Sequence, residues 1–181
     1  MPHKTIYTVG HSTHPIDEFI DLLEAYGIRK LIDVRTIAKS RHNPQFNEAA
    51  LAASVRARKI SYRRMTELGG LRHARKDSIN GAWRNQSFRG YADYMQTEEF
   101  ADAIDLLMER GRNSDAAIMC AEAVPWRCHR SMIGDALVVR GVVVLDIMTK
   151  KSAPPHTLTS FARVDGTCVS YPGSQEYSPE D

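Results

Sequence analysis

The stretch AAIMCAEAVPWRCHRSMIGDALVVRGVVVLDIM, residues 116–148, contains the pattern that decides the fold. The apolar run AAIMCAE predicts a strand, CHRSMIGDALVVRG predicts a helix, and VVVLDIM predicts a second strand. A strand, a crossover helix and a second strand form a right-handed unit of a parallel sheet. Its strand-to-helix junction, MCAEAVPWRCHR, also holds two cysteines, a glutamate, a histidine and two arginines.

The same alternation extends upstream, where TIYTVGHS, KLIDVRT and SYRRM predict three more strands. We expect helices between them, one starting at Pro15 and stopping at Gly27, one capped by Asn47, and one broken near Thr97. The sequence therefore predicts an α/β fold, a three-layer sandwich around a mainly parallel five-stranded sheet. A long basic loop follows the third strand, and ARVDGTCVSY predicts a small C-terminal β-hairpin. We expect a single domain over residues 1–181, with a core of residues 1–150 and a tail of residues 151–181 packed on it.

The composition is that of a globular protein, with 43% hydrophobic and 25% charged residues in 181. Arg140 interrupts the longest apolar run, so no membrane span and no membrane partner are expected. The N-terminus lacks the basic-then-apolar pattern of a signal peptide. Three cysteines do not suit a disulfide framework, and we therefore expect a cytoplasmic protein.

The net charge of +2 is unevenly distributed along the chain. Residues 29–91 carry fifteen Lys and Arg against four Asp and Glu. Such a segment predicts an anionic partner, either a small molecule or a nucleic acid. The alternative is that these basic side chains pair with the acidic C-terminal half inside the folded protein.

Polar and reactive residues follow the predicted strands on one side. Because ligands of open parallel sheets bind beyond the carboxyl ends of the strands, we expect these residues to form one site. The candidate catalytic residues are His11, Asp33, Cys120, Glu122, Cys128 and His129. The candidate ligand-binding residues are Ser12, Arg35, Arg41, Glu67, Gly69, Gly70 and Arg130.

Two cysteines compete for the role of nucleophile. If the helix begins near Trp126 or Arg127, its free amides and positive dipole end lower the thiol pKa of Cys128. Cys120 lies beside Glu122, whose charge raises its pKa, so Cys128 is preferred. The alternative is that either cysteine is a buried, inert side chain.

A metal site is not predicted at this junction. Cys120, Glu122, Cys128 and His129 offer sulfur, oxygen and nitrogen atoms. Adjacent residues on a helix point about 100° apart, however, and no paired zinc-ligand spacing is present. No cofactor is assigned from the sequence.

Several phrases together resemble the family named domain of unknown function 488. They are TVGHSTHPIDEFIDLLEAYGI, LIDVRT with SRHNPQFN, ELGG, YADYM with EEF, and MCAEAVPWRCHRSMIGDAL. The resemblance covers nearly the whole chain and implies a bacterial or archaeal cytoplasmic α/β domain, without implying a reaction. The typical phrases of that family fall on His11, Ser12, Asp33, Arg35, Glu67, Gly69, Gly70, Cys120, Glu122, Cys128, His129 and Arg130.

Three functions remain open from the sequence. The first is an enzyme acting on an anionic, phosphate- or nucleotide-like substrate, with a cysteine nucleophile. The second is a nucleic-acid-binding module, because residues 56–89 intersperse ten Lys and Arg with Tyr62, Trp83 and Phe88. The third is a metal-dependent hydrolase that uses the same strand ends. The oligomeric state is not predicted.

Overall fold

The computed structural model describes residues 4–173 and confirms the predicted α/β architecture. Five strands form one sheet, five α-helices cover it, and two short strands form the predicted hairpin. The strands of the sheet are β1 (Thr5–Gly10), β2 (Lys30–Asp33), β3 (Ser61–Arg64), β4 (Ala116–Cys120) and β5 (Val143–Asp146). The helices are α1 (Ile16–Ala25), α2 (Glu48–Ala57), α3 (Gln86–Tyr94), α4 (Glu98–Arg110) and α5 (Arg130–Val138). The hairpin strands are β6 (Arg163–Asp165) and β7 (Cys168–Ser170).

The sheet is parallel throughout and has the strand order β3-β2-β4-β1-β5. Its two faces carry separate apolar layers because successive side chains of a strand point to opposite faces. On β4, Ala117 and Met119 join the layer formed with α1 and α2. Ile118 and Cys120 join the opposite layer, formed with α3, α4 and α5. Every residue of this central strand is buried, as expected for a sheet covered on both faces.

The connections diverge around β4. Its neighbours β1 and β2 lead into α1 and α2 on one face, whereas β4 leads into α5 on the other face. A crevice for ligands is expected where connections leave a parallel sheet toward opposite faces. The topology therefore places such a crevice at the carboxyl end of β4, directly after Cys120.

The ends of the helices follow local signals with one exception. Gly27, with a φ of +67°, ends α1, and the Thr97 side chain accepts a hydrogen bond from the Phe100 amide at the start of α4. Asn47 precedes α2 as predicted but does not cap it through its side chain. Its Oδ1 accepts the amide of Ser40 at 2.7 Å instead, so this side chain stabilises the preceding loop.

The long segment between β3 and α3 is organised by a carboxylate. Asp93 accepts hydrogen bonds from the Arg75 amide at 2.7 Å, the Ser78 hydroxyl at 2.6 Å and the Asn80 side-chain amide at 2.7 Å. A short 3₁₀ helix at Thr66–Leu68 opens the segment. The basic loop is thus held in place by a residue of the helix that follows it.

The C-terminal tail is attached to the core by polar contacts with α5 and β5. The His156 ring lies between two carboxylates, with Nε2 2.8 Å from Asp135 and Nδ1 3.1 Å from Asp146. The Tyr171 hydroxyl donates to the other Asp135 oxygen at 2.7 Å, and Tyr171 is completely buried. Gly166, with a φ of +61°, forms the turn of the predicted hairpin. Within residues 4–173, none of the helices has the length and apolar character needed to cross a bilayer.

Candidate active site

A cavity of about 320 Å³ opens at the carboxyl edge of the sheet, and we call it the thiol cavity. It lies where the topology predicts a crevice, since its floor includes the last residue of β4. Seven of the thirteen candidate residues line it. They are His11, Arg35, Gly70, Cys120, Glu122, Cys128 and His129.

The other six candidates lie outside the lining. Asp33 and Arg130 are buried directly behind it, being 0% and 1% exposed. Ser12, Arg41, Glu67 and Gly69 are not part of the lining. Ser12 has a backbone role, since its amide donates to the carbonyl of Ala121 at 3.0 Å and its φ is +47°. Gly69 allows a close approach, because a Cβ atom there would lie 2.4 Å from the Thr36 hydroxyl.

Asp33 and Arg35 form a bidentate ion pair at the end of β2. Arg35 Nε donates to one Asp33 oxygen at 2.9 Å, and Nη2 donates to the other at 2.7 Å. The Tyr62 hydroxyl, from the neighbouring strand β3, donates to the same carboxylate at 2.5 Å. Parallel forked geometry is the strong form of such a pair, so the guanidinium plane is fixed.

One N–H group of the Arg35 guanidinium is available to donate a hydrogen bond to a ligand. Its Nη2 also donates to the Phe46 carbonyl at 2.9 Å, and its Nη1 points to His11 Nε2 at 3.3 Å. Four of the five guanidinium N–H groups are therefore engaged. Burial lowers the pKa of Arg35, but the hydrogen bonds and charge of Asp33 outweigh it and raise the pKa. The fifth N–H, on Nη1, has no acceptor among the described residues.

His11 supports Arg35 and is held in one tautomer. Its Nδ1 lies 2.8 Å from the Ser12 carbonyl, which only accepts, so Nδ1 carries the proton and Nε2 accepts from Arg35. The ring stacks on Phe46 with centroids 4.2 Å apart. Burial lowers the pKa of His11, so the ring is neutral at pH 7. Both nitrogens are engaged, and a role as general base requires Nε2 to leave Arg35.

The start of α5 differs from the prediction. A 3₁₀ turn occupies Pro125–Arg127, Cys128 is extended, and α5 begins only at Arg130. The expected helix start near Trp126 or Arg127 is therefore wrong. The reason is that Pro125 favours a short turn of its own before the helix. Cys128 gains one helical amide, that of Arg130, which donates to its sulfur at 3.4 Å.

The two thiols are neighbours with opposite pKa shifts. The interaction with the neighbouring Cys120 thiol, together with burial, raises the pKa of Cys128 well above its ordinary value. Burial and the charge of Glu122 raise the pKa of Cys120, but the interaction with Cys128 and the charge of Arg130 outweigh them and lower the pKa. The expectation of a lowered pKa at Cys128 is therefore wrong. Cys120 holds the more acidic thiol.

Arg130 is a buried cation beneath these thiols. Its Nη1 donates to the Thr8 hydroxyl at 3.1 Å and its Nη2 to the Glu122 carbonyl at 3.3 Å, while its Nε has no partner. None of the ion pairs among the described residues includes Arg130. The nearest carboxylate contact is indirect, because the Thr8 hydroxyl donates to Asp146. A buried guanidinium without a direct carboxylate favours negative charge nearby, and Cys120 supplies a group that can carry it.

His129 is a neutral base beside Cys128. Its Nε2 lies 3.1 Å from the Val34 carbonyl and therefore carries the proton, which leaves Nδ1 as an acceptor 3.5 Å from Cys128 Sγ. Burial lowers the pKa of His129 to about 4. A Cβ atom at position 70 would lie 3.0 Å from this Nδ1 atom, so a larger residue there would push the His129 ring by a few tenths of an ångström.

Among the residues of the site that the sequence-based candidates omit, four bear on its charge or its support. Lys39 and Arg127 are exposed and line the thiol cavity, and Arg127 stands within the junction phrase that indicates the site. Phe46 and Tyr62 support His11 and Asp33 from elsewhere in the chain. Tyr62 lies 29 residues from Asp33, and no local pattern indicates such a contact.

The described residues contain no group of three or more His, Cys, Asp or Glu side chains placed to hold a metal ion. Cys120, Cys128 and His129 approach one another, but the free His129 nitrogen faces only Cys128. This arrangement gives the metal-dependent alternative no structural support.

The basic segment uses its aromatic residues internally. Tyr62 is buried against Asp33, and Trp83 packs edge-on against Phe88 with centroids 5.2 Å apart. Arg58 pairs with the acidic residues of α1, and Lys30 pairs with Asp115. Part of the positive charge is therefore neutralised within the fold, and the aromatic rings required for base stacking are engaged.

Together, the parallel sheet and the thiol-lined cavity at its carboxyl edge define an α/β protein with a cysteine-containing site. The family model described as Domain of unknown function DUF488 matches residues 15–137, well over half of the chain. The chain belongs to this family. The matched residues include Asp33, Arg35, both cavity cysteines and Arg130, whereas His11 and the C-terminal tail lie outside them. No curated protein and no solved structure shows a significant match to this chain.

Proposed function

We propose that this protein is an enzyme that acts on a small anionic substrate, phosphate- or nucleotide-like, and that Cys120 is its nucleophile. The observation that carries the proposal is the position of Arg130, a buried guanidinium that forms no ion pair within residues 4–173. Its Nη2 donates to the Glu122 carbonyl at 3.3 Å, and Cys120 Sγ lies 3.6 Å from the same carbonyl oxygen. A thiolate is the reactive form of cysteine, and a neighbouring cation favours it. Because three free cysteines suit a reducing environment, we also propose a cytoplasmic location.

The rim of the thiol cavity supports an anionic substrate. Lys39 and Arg127 are exposed there, and Arg35 offers a fixed N–H group without a protein acceptor. Glu122 is the opposing charge on the lining and favours an anion bound toward Arg35 and Lys39. A volume of about 320 Å³ lies at the lower end of the range for small-molecule sites, which favours a small substrate over a polymer.

The two cysteines have different roles in this proposal. The neighbouring Cys128 side chain lowers the pKa of Cys120 and so favours the thiolate. The positive charge of Arg130 stabilises the thiolate of Cys120, and the cavity gives a substrate access to its sulfur. If Cys120 were only an inert side chain packed in the apolar core, the cationic side chain of Arg130 beside it would have no explanation.

The proposal is tested by protection from alkylation. In a Cys168→Ser background, which removes the exposed thiol, iodoacetamide labels Cys120, and inorganic phosphate or adenosine monophosphate slows this labelling. Replacing Lys39 by Ala weakens protection up to about fivefold, since an exposed charge pair contributes up to about 1 kcal/mol. Lys76→Ala is the matched control, because Lys76 is an exposed lysine of the basic segment outside the cavity lining.

Two results contradict the proposal. In the first, neither anion changes the labelling rate at low salt, which would rule out the anionic substrate. In the second, the Lys39→Ala and Lys76→Ala variants lose protection equally, which would rule out the thiol cavity as the binding site. High salt is expected to abolish the protection in the parent protein, since exposed charges are screened.

A further inference from the structure

The thiol cavity contains two neighbouring thiols, although the proposed nucleophilic role requires only one. Cys120 and Cys128 are both free and buried, they line the same cavity, and they lie close enough to shift each other's pKa. Cys120 ends a buried strand, and Cys128 lies two residues before α5. A nucleophile alone needs one thiol, and a second thiol beside the first provides a partner for a covalent bond.

We propose that Cys120 and Cys128 form a reversible intramolecular disulfide, so that the thiol cavity is a two-electron redox centre with a hydroperoxide as its oxidant. This inference rests on Cys120 as the nucleophile of the proposed function but does not depend on the anionic substrate. Small hydroperoxides are neutral and compact, and the cavity of about 320 Å³ admits them.

The first step oxidises Cys120. Its thiolate sulfur attacks the terminal oxygen of the hydroperoxide, an S–O bond forms and the O–O bond breaks. The leaving oxygen takes a proton and departs as water or an alcohol. Cys120 becomes a sulfenic acid, having lost two electrons to the peroxide, and this is the reversible first oxidation state of a cysteine.

The second step uses Cys128 as the resolving thiol. Its sulfur attacks the sulfur of Cys120, an S–S bond forms, the S–O bond breaks, and hydroxide leaves as water with the proton of Cys128. The His129 Nδ1 atom, 3.5 Å from the Cys128 sulfur, is the nearest acceptor for this proton. Overall, two thiols lose two electrons and two protons, and one peroxide becomes water together with water or an alcohol.

The first step also activates the second thiol. The largest contribution that raises the pKa of Cys128 is its interaction with the neighbouring Cys120. Oxidation of Cys120 to a neutral sulfenic acid weakens this interaction. The Arg130 amide, 3.4 Å from the Cys128 sulfur, then favours the second thiolate. The two cysteines therefore act in a fixed order, Cys120 first.

The experiment uses the Cys168→Ser chain, in which only the pair remains. One equivalent of hydrogen peroxide is expected to remove both free thiols without forming a dimer. Mass spectrometry should locate a Cys120–Cys128 disulfide, and dithiothreitol should restore both thiols. With Cys128→Ser added, dimedone should trap a sulfenic acid at Cys120. With Cys120→Ser added instead, the trapping should be lost.

Several outcomes overturn the inference. Persistent sulfenic acid in the chain that retains both cysteines shows that Cys128 does not resolve it, and trapping at Cys128 reverses the order. Two unreacted thiols after peroxide treatment, with full reaction once the chain is unfolded in guanidinium, show that the cavity excludes the oxidant. If the disulfide forms but phosphate and adenosine monophosphate do not protect Cys120 from alkylation, only the anionic substrate fails.

Discussion

The histidine between two carboxylates predicts a specific dependence of stability on pH. The His156 side chain is 5% exposed and contacts Asp135 and Asp146. Burial lowers its pKa, but hydrogen bonds and charge from both carboxylates outweigh burial and raise the pKa from 6.5 to about 9. Between pH 6.5 and about pH 9, His156 is therefore protonated in the folded protein but not in the unfolded chain.

The sign and size follow from proton linkage. The stabilisation is fully present below pH 6.5, decreases as the pH rises, and is lost above about pH 9. Each pH unit in this window lowers the free energy of unfolding by about 1.4 kcal/mol. The window from 6.5 to about 9 thus corresponds to about 3 kcal/mol, a large part of the stability of an ordinary domain.

The assay is urea unfolding, followed by circular dichroism, of the parent protein and of His156→Gln between pH 6 and pH 9.5. The difference between their free energies of unfolding should shrink by about 3 kcal/mol across this range. Taking the difference removes other titrations, including that of Cys120, whose lowered pKa acts in the opposite direction. His73→Gln, at an exposed position, should follow the parent protein at every pH. Parallel curves for the parent and His156→Gln would refute a protonated His156.

Two further substitutions test the support of the site. Tyr62→Phe removes the 2.5 Å hydrogen bond to Asp33, and about 1.5–3 kcal/mol of stability should be lost in urea unfolding, as for a bond to a charged group; a loss below about 0.5 kcal/mol contradicts this. Gly10→Ala places a Cβ atom 1.7 Å from the Glu122 carbonyl, so the loop after β4 must move. It should cost more than about 3 kcal/mol and slow the alkylation of Cys120, whereas Gly141→Ala, at a φ of +80° in open space, should cost about 1–2 kcal/mol and leave alkylation unchanged. Equal losses for the two glycines would show that the loop accommodates the methyl group.

The sheet was predictable because its signals are local. The five apolar or β-rich runs alternate with helical periodicity, and a parallel sheet is the arrangement that such an alternation favours. The same reasoning predicted the gathering of His11, Arg35, Cys120 and Cys128, since the carboxyl ends of parallel strands share one edge. The Asp-Gly hairpin near residue 166 and the helix break at Thr97 follow from their own turn and cap residues.

The details that control chemistry depend on contacts between distant residues. Asn47 stands at a cap position, yet its side chain binds the Ser40 amide instead of an amide of α2. The conformation of the preceding loop determines which of these partners it binds. The assignment of the more acidic thiol moves from Cys128 to Cys120 because of burial, the contact between the two thiols and the charge of Arg130, which depend on the tertiary fold. The contact of His156 with Asp135 joins residues 21 positions apart through the tertiary fold, and no periodicity indicates it.

The ionisation of Cys120 is the property on which the account depends most directly. It is measured by the ultraviolet absorbance of the thiolate as a function of pH, which needs no reagent to enter the cavity. The chain that carries both Cys128→Ser and Cys168→Ser retains Cys120 as its single thiol, so the whole thiolate signal reports Cys120. The account predicts a midpoint below the value of about 8.5 for a free thiol, and a rise in this midpoint when Arg130 is replaced by Met. A midpoint at or above about 8.5, or one that Arg130→Met leaves unchanged in a folded chain, would contradict it.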